Sequence, residues 1–568
     1  MLASESRTLF ERLGYPHTWL DDAARYTQDD AYLAFDPRWV GEVPDVPRAT
    51  VDTIISGHAA TRPDDPALIN LGRTITYGEF EKHIARTAGV LREHGVGRGD
   101  IVAVMLPTMA MHWIVFFAAA RLGATHCGVN VMYTPRELDY LFTDCTPTAL
   151  VVLDQFLPVV EEAASAHTPR TVLRVSLHDL AAPGFEPYPP LAPLWNAEAP
   201  RSGPPRLLDL MAEATPVTEG AEVDLMTGVG QIVYTAGTTG DPKGVMESHY
   251  NLMHNAVAHI FAMPGVTTKP VNYSVLPMFH TGGFFLYSMP TFYLGGVVIP
   301  RPLFDPGDAL ATIEKEKVDA LFGPPTMYVG LMAYGLEGRD LSSLQACITG
   351  AAPIPAELPA KWRRATGRTV HAGWGMSELN TLGCFTGLVN KPQTQGIGLP
   401  VMGEVRIVAD GAVAARGTVG EIEFRGMQVA RGYAHKPEQT AEAFQRDGWF
   451  RTGDVGLIDE QDHLHYVDRA KDLIFASGYN IAPMEIEQVI LGDPRVVEVA
   501  VVGEPQGYRG EVPVAFVVGG LTEEEILQRC RENLAKNKIP ARIVIVDELP
   551  KNAIGKTLKR ELRRRLEN

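Results

Sequence analysis

The stretch Tyr234-Thr235-Ala236-Gly237-Thr238-Thr239-Gly240-Asp241-Pro242-Lys243-Gly244-Val245 decides how this chain is read. It follows the apolar run Gln231-Ile232-Val233-Tyr234, which reads as the end of a strand. It leads through a polar segment, Glu247-Ser248-His249, towards a helix expected from Asn251. Thr235, Thr238 and Thr239 offer hydroxyls, and Lys243 supplies one positive point charge. Gly237, Gly240 and Gly244 let the backbone turn back and come close to a ligand. Backbone N–H groups in a tight turn, hydroxyls and one lysine together suit a polyphosphate. An ordinary strand-to-helix loop also uses Gly and Thr, but three of each followed by Pro-Lys-Gly exceeds what turn chemistry needs. The common nucleotide loop requires Gly, four residues and then Gly-Lys-Ser/Thr. Here Gly240 is followed by Asp241-Pro242-Lys243, and Gly555-Lys556-Thr557 has Pro550 where the first Gly belongs. The chain therefore reads as holding phosphates with a different loop.

A chain of 568 residues is too long for one core and implies three or four domains or subdomains. Its hydrophobic content of 45% and charged content of 21% are those of a globular enzyme. A net charge of −17 argues against nucleic acid or an anionic membrane as a bulk partner, so positive charge must be local. The five cysteines are odd in number, scattered and never in a Cys-x-x-Cys pair, as expected of reduced thiols in a cytoplasm. Cys347 and Cys384 read as core residues rather than nucleophiles. No basic segment followed by an apolar one opens the chain, so no signal peptide is expected. Residues 271–300 lack Asp, Glu, Lys and Arg, which raises a membrane span. Gly282, Gly283, Pro290, Gly295 and Gly296 interrupt them, and a buried strand–helix–strand unit is expected instead.

Residues 1–50 show no clear periodicity and read as an irregular cap. Beyond Val51 helices and strands alternate, with apolar strands at 101–106 and 150–153 and a helix at 110–122 between them. Such alternation implies parallel sheet covered by helices. Residues 181–206 are crowded with proline and read as an exposed loop. Further strands are expected at 274–276, 296–299, 320–322 and 346–348. After about Gly396, short strands such as 404–408 and 420–424 suggest a small β-rich module. From about Lys471 a last α/β unit begins, with a strand at 497–502 and a helix near 522–533.

Six further stretches carry chemistry. Leu276-Pro277-Met278-Phe279-His280-Thr281-Gly282-Gly283 sets a histidine among small residues, as a pocket mouth would, and Phe284 follows it. Thr349-Gly350-Ala351-Ala352-Pro353 offers a flat backbone suited to a planar ring. Gly373-Trp374-Gly375-Met376-Ser377-Glu378 joins an aromatic, a hydroxyl and a carboxylate able to ligate magnesium. Trp449-Phe450-Arg451-Thr452-Gly453-Asp454 ends in a carboxylate that can accept both hydroxyls of a ribose. The pair Asp468–Asp472 and Ser477–Glu487 marks the change of domain, and Pro550–Lys556 ends the chain with a lysine on a glycine-bearing loop. Each alone has an ordinary structural reading.

In this order and spacing the stretches closely resemble the adenylate-forming superfamily of acyl-CoA synthetases, adenylation domains and luciferases, from about Val51 to Arg565. The resemblance implies an α/β fold. Its large N-terminal domain would have two α/β subdomains (51–205, 206–395) and a β-rich one (396–467). A hinge at 468–471 would lead to a small mobile α+β C-terminal domain, 472–568. It implies two half-reactions. A carboxylate attacks the α-phosphorus of ATP, giving acyl-adenylate and pyrophosphate; the C-terminal domain then rotates, and the CoA thiol expels AMP. By similarity, Thr235, Gly237, Thr238, Thr239, Gly240 and Lys243 would hold the β- and γ-phosphates, and Thr235 and Glu378 would hold Mg2+. Gly350, Ala351, Ala352 and Trp374 would flank adenine, with Gly373, Gly375, Met376 and Ser377 beside them. Asp454 and Arg469 would bind ribose, Lys471 would be the hinge, and Ser477, Gly478 and Tyr479 would line the CoA tunnel. Lys556 would reach the α-phosphate and the substrate carboxylate. The catalytic set implied is Lys556, Glu378, Thr238 and Lys243.

Among the branches, amino-acid-activating members place an aspartate where this chain has His280, which disfavours an α-amino acid. A non-catalytic scaffold on this fold should have lost Lys556, Glu378 or Asp454, and all three are present. A CoA ligase for a small carboxylic acid is the reading that remains, with ATP, Mg2+ and CoA. No nucleic acid and no transmembrane segment are expected, and a homodimer is allowed. The acyl pocket candidates are Phe279, His280, Thr281, Gly282, Gly283, Phe284 and Gly350. The two glycines could open a tunnel and the phenylalanines could close it. An aliphatic acid of short, branched or medium chain is favoured, with long-chain and aryl acids as alternatives. The basic residues Lys551, Lys556, Lys559, Arg560, Arg563, Arg564 and Arg565 read either as the solvated face of a terminal helix or as an attractor of CoA or ATP phosphates.

Overall fold

A computed structural model describes the chain except residues 1–2, 164–166, 199–201, 236–241, 267, 351, 353, 355–356, 389–395, 477–478, 507–509, 552–556 and 568. Apolar strands buried on both faces dictate its centre. Ala149–Leu153 is buried at every position, as a parallel strand covered by helices on both sides must be. It belongs to a seven-stranded sheet running Gly432–Tyr433, Lys243–Ser248, Val229–Thr235, Thr125–Gly128, Ile101–Met105, Ala149–Leu153 and Thr171–Val175. A nine-stranded sheet contains the expected strands Val297–Pro300, Ala320–Gly323 and Ala346–Thr349, paired in parallel through Val271–Ser274, which ends where the strand expected at 274–276 was to begin. The uncharged stretch 271–300 is thus two parallel neighbours joined by short helices, and no helix among the described residues is long and apolar enough to cross a membrane.

Capping fixes where helices begin. Thr76 with Glu79, Thr134 with Glu137, Ser248 with Asn251 and Thr522 with Glu525 each form reciprocal capping boxes. Between the two large sheets, Ala110–Arg121 is buried along its whole length. The ion cluster of Arg121 with Asp52 (3.0 Å) and Glu81 (2.5 Å) lets that helix end inside the protein.

The β-rich module is a six-stranded antiparallel sheet whose main path runs Tyr32–Ala34, Gly403–Ala409, Gly420–Gly426, Phe450–Ile458 and Leu464–Arg469. Its first strand corrects the expectation of an irregular N-terminal cap. Ser4–Leu13 and His17–Ala23 are helices, and Tyr32–Ala34 pairs with Glu404–Arg406. The cap is locked by Arg425, fully buried, which pairs with Glu404 (2.7 Å) and Asp22 (2.9 Å) and donates to the Trp19 carbonyl. Arg406 and Arg425 both lie over the buried Trp449 ring, at 4.2 and 4.5 Å, so Trp449 anchors the strand that carries Asp454.

A second correction concerns Glu247-Ser248-His249. This expected polar link is the buried end of a strand, Lys243–Ser248, that runs antiparallel to Val229–Thr235. The phosphate-loop candidate therefore joins a hairpin, and the helix starts at His249 rather than Asn251. The proline-rich segment is also less exposed than its composition suggests: Tyr188 and Leu191 are buried and Ala192–Trp195 is a short helix. The C-terminal unit holds a three-stranded sheet, Val496–Pro505, Glu511–Gly519 and Arg542–Ile545, with the helices Pro483–Leu491, Glu523–Asn533 and Lys559–Glu567.

Candidate active site

The hairpin register sets Thr235 opposite Lys243, and the Thr235 hydroxyl lies 3.5 Å from the Lys243 carbonyl. The Lys243 ammonium stands 4.7 Å from the centre of the Tyr433 ring. Tyr433 sits on the short strand Gly432–Tyr433, paired with Val245, and its hydroxyl donates to Glu378 Oε1 at 2.8 Å. The Ala430 N–H donates to the Glu378 carbonyl at 2.9 Å, fixing the backbone there as well. Burial first, then Glu378, raises the Tyr433 phenol well above its ordinary range, so it stays a donor. Lys243, Tyr433 and Glu378, far apart in sequence, thus form one chain of contacts. Tyr433 escaped sequence reading because nothing local marks it; only strand pairing brings it beside Lys243.

Glu378 is half-buried and forms no ion pair among the described residues. A carboxylate with a neutral hydroxyl as neighbour fits a hard cation such as Mg2+, which prefers carboxylate oxygen and keeps several waters. Behind it Glu247 is fully buried, and neither carboxyl oxygen has a partner among the described residues. Burial, then the Glu378 charge, pushes the Glu247 carboxyl well up.

A second cluster joins Trp374, Asp454 and Arg469. The Trp374 indole N–H donates to Asp454 Oδ2 at 2.8 Å, and Arg469 Nε lies 2.8 Å from Oδ1. Asp454 is 2% exposed and Trp374 8%, so the indole orients the carboxylate as well as offering a ring edge. Burial alone would lower Arg469, but Asp454 first, then Tyr466 and Glu378, hold its guanidinium charged. Arg469 thereby links the two clusters electrostatically.

Glycines shape the floor between them. A side chain at Gly350 would meet the Gly373 carbonyl at 2.7 Å, and one at Gly375 would meet the Thr381 carbonyl at 1.8 Å. Ala352, Met376 and Ser377 are half-buried beside this backbone. Ala351, the loop residues Gly237, Thr238, Thr239 and Gly240, the tunnel residues Ser477 and Gly478, the Tyr479 side chain and Lys556 lie outside what is described.

In the acyl pocket candidates, Phe279 and Thr281 are buried and His280 is half-buried. Phe284 is fully buried, its ring 4.8–5.5 Å from those of Phe116, Trp113, His126 and His112. A side chain at Gly283 would meet the Pro277 carbonyl at 2.3 Å, whereas one at Gly282 would meet the Phe322 ring at an ordinary 3.4 Å. The side-chain space at Gly283 is therefore taken, whereas Gly282 has room for a methyl group.

Lys471 lies in the single turn Ala470–Asp472 and is exposed. Just before it, Asp468 accepts from the Met484 N–H at 2.9 Å, tying the last strand of the β-rich module to the helix Pro483–Leu491. Three residues of the basic tail pair within its own unit: Lys551 with Glu498, Lys559 with Glu487 and Arg563 with Asp472. All five cysteines are buried and free, and burial pushes the Cys347 thiol up to about 12, which suits core residues rather than nucleophiles.

Comparison with known proteins agrees with this geometry. The family model "AMP-binding enzyme" matches residues 55–434, and "AMP-binding enzyme C-terminal domain" matches residues 485–556. A long-chain-fatty-acid–CoA ligase of Bacillus subtilis is 32% identical over 552 residues, covering 92% of this chain and 97% of the relative. A feruloyl-CoA synthase of Amycolatopsis is 32% identical, covering 89% and 97%. The crystal structure of ATP-bound MatB from Rhodopseudomonas palustris is 29% identical, with a TM-score of 0.79 over 91% of this chain and 99% of that one. The chain belongs to the AMP-binding enzyme family and is an acyl-CoA synthetase of the adenylate-forming superfamily, an AMP-forming ligase that uses ATP and CoA.

Proposed function

We propose that this ligase activates an aliphatic carboxylic acid of short, branched or medium chain. The relatives do not decide the matter, since their names divide between a long-chain and an aryl acid. The packing of Gly283 and Phe284 carries the reading: a side chain at Gly283 would run into the Pro277 carbonyl, and Phe284 backs the wall with an aromatic cluster. That arrangement supports a short, closed acyl site rather than a long tunnel.

ATP binds with its ribose hydroxyls on Asp454, which Trp374 and Arg469 hold in orientation. Its adenine lies on the glycine floor of Gly350, Gly373 and Gly375, and its phosphates meet the 235–243 hairpin and Lys243. Glu378 with Thr235 would hold Mg2+, which when bound offsets phosphate charge. Lys556 stabilises the charge shared by the incoming carboxylate and the α-phosphoryl oxygens as the α-phosphorus bond to pyrophosphate breaks. The unit 472–568 then turns about Lys471 and brings Ser477, Gly478 and Tyr479 to the site. The CoA thiolate attacks the acyl carbon, and AMP leaves with the electron pair of the broken C–O bond. Five buried, unpaired cysteines support a reducing, cytoplasmic setting.

A panel of acids assayed for pyrophosphate release, with and without CoA, tests this. Highest kcat/KM is expected for aliphatic acids of up to medium chain. A clear preference for aryl or long-chain acids refutes the substrate assignment while leaving the ligase class intact.

A further inference from the structure

We propose that the turn joining the strands Phe450–Ile458 and Leu464–Arg469 is a binding site for a borderline first-row divalent ion, Zn2+ foremost, with Asp459, His463 and His465 as its ligands. The three side chains each offer one ligand atom, and these atoms lie within 4.8 Å of one another. His465 Nε2 is 2.8 Å and His463 Nδ1 3.3 Å from the same carboxylate oxygen, Asp459 Oδ2. Ligand atoms about 2.0–2.2 Å from a tetrahedral Zn2+ stand roughly 3.3 Å apart, so small ring rotations admit the ion.

The turn is organised in advance. Asp459 Oδ1 accepts from the N–H groups of Gln461 (2.9 Å) and His463 (2.8 Å), which fixes the carboxylate and leaves Oδ2 towards the imidazoles. The Asp459 N–H donates to the His463 carbonyl, and Asp462 takes a left-handed φ of 65° to close the turn. From the turn before the strand Gly420–Gly426, Arg416 pairs with Asp462 at 2.8 Å and donates to the Asp459 carbonyl at 3.2 Å. The backbone around the ligands is therefore held by bonds other than theirs. Outer bonds of this kind orient metal ligands and raise affinity. The side chains of Asp459, His463 and His465 are only 24%, 20% and 32% exposed, so an ion would be partly sheltered yet reachable.

Chemistry selects the class of ion. Two imidazoles and one carboxylate suit Zn2+, Co2+ or Ni2+, whereas Mg2+ and Ca2+ favour all-oxygen sets. Binding displaces the ring proton that His465 shares with Asp459; it moves to the other ring nitrogen or to the buffer, with no redox change. The register sets Leu457 opposite His465 and Asp454 opposite Arg469. Asp459 thus lies roughly 16 Å along the strand from Asp454, at a site separate from Glu378. An ion there would clip together the two strands that carry Asp454 and Arg469.

The test titrates ZnCl2 into the full-length, chelator-treated protein by calorimetry, in parallel with His463→Gln, His465→Gln and the double variant. One equivalent is expected to bind the parent protein at micromolar concentration or tighter, to survive millimolar Mg2+, and to weaken at least about tenfold in each variant. Co2+ should give a visible d–d band that the double variant lacks. Equal Zn2+ affinity in parent and double variant, or no stoichiometric binding by the parent, overturns the proposal. Gln keeps a hydrogen-bond donor for Asp459, and unchanged circular dichroism and thermal midpoints of the metal-free variants show that lost binding is not lost folding.

Discussion

Replacing Asp454 by Asn is the sharpest test of the nucleotide site. Its carboxylate is 2% exposed, receives the Trp374 indole at 2.8 Å and faces Arg469 at 2.8 Å. Ala would leave the half-buried Arg469 without its partner and the indole N–H unsatisfied, and the latter alone costs about 1–3 kcal/mol of stability. Loss of ATP use in Asp454→Ala would therefore confuse folding with binding. Asn keeps the size and one acceptor oxygen, which can still serve Trp374, and removes the charge. Two charge-assisted bonds to ribose hydroxyls are together worth about 3–5 kcal/mol, or 10²–10⁴ in kcat/KM for ATP. The assay is pyrophosphate release with ATP varied at saturating acid, beside urea denaturation of both proteins. Expected is a fall of at least 10² in kcat/KM for ATP with KM for the acid little changed. An unchanged ATP dependence refutes the ribose assignment, whatever happens to stability, and leaves Asp454 as the structural partner of Trp374 and Arg469.

Other outcomes follow from the same contacts. Tyr433→Phe removes one hydrogen bond to a charged carboxylate, about 1.5–3 kcal/mol, and should raise the Mg2+ concentration needed for half-maximal rate; an unchanged requirement separates Tyr433 from the Glu378 site. Burial and the Glu378 charge raise the Glu247 carboxyl in the fold above the ordinary carboxylate range, so above that range the folded state binds more protons than the unfolded one, and stability falls as pH rises. Glu247→Gln should therefore make the fall of stability with rising pH shallower, read by denaturation between pH 5 and 8, and parallel curves refute it. Lys556→Ala should slow pyrophosphate release by about 10²–10³ yet convert supplied acyl-adenylate and CoA to thioester near the parent rate; equal loss of both steps sinks the alternation of the C-terminal unit. Replacing Arg563, Arg564 and Arg565 by Gln should leave the salt dependence of CoA use unchanged, because Arg563 already answers Asp472; a change seen only at low salt would restore a phosphate-attracting role.

Much of the fold was legible because parallel strands buried on both faces leave continuous apolar runs, as at 101–105 and 149–153, and capping residues mark helix starts. The order of glycine-bearing motifs was legible because each needs close backbone approach, which Gly350 and Gly375 bear out through the carbonyls that crowd them. What stayed hidden depends on pairing between distant segments. Tyr433 meets Glu378 only through a two-residue strand laid against Val245. The N-terminal cap joins the β-rich sheet only through Tyr32–Ala34 and the buried Arg425 cluster. The Lys243–Ser248 strand hid for a different reason: its sequence breaks the local rule. Glu247 is an acid at a fully buried position, and opposite it in register Gln231 is buried with no partner for its amide among the described residues. Glu247 reads from sequence as a solvent-facing acid, which is why a polar link was expected at Glu247-Ser248-His249. Two uncompensated polar groups each cost free energy that a well-packed apolar pair would not, on the order of 1–3 kcal/mol. They sit on the strands that flank the phosphate-loop candidate, and Glu378 acts electrostatically on one of them. Places where a sequence violates local consistency tend to be functional, because only function compensates for the lost stability. On that argument the paired strands Val229–Thr235 and Lys243–Ser248 are as much a candidate for the adenylating site as the loop they carry, although no motif in the sequence points inward from that loop.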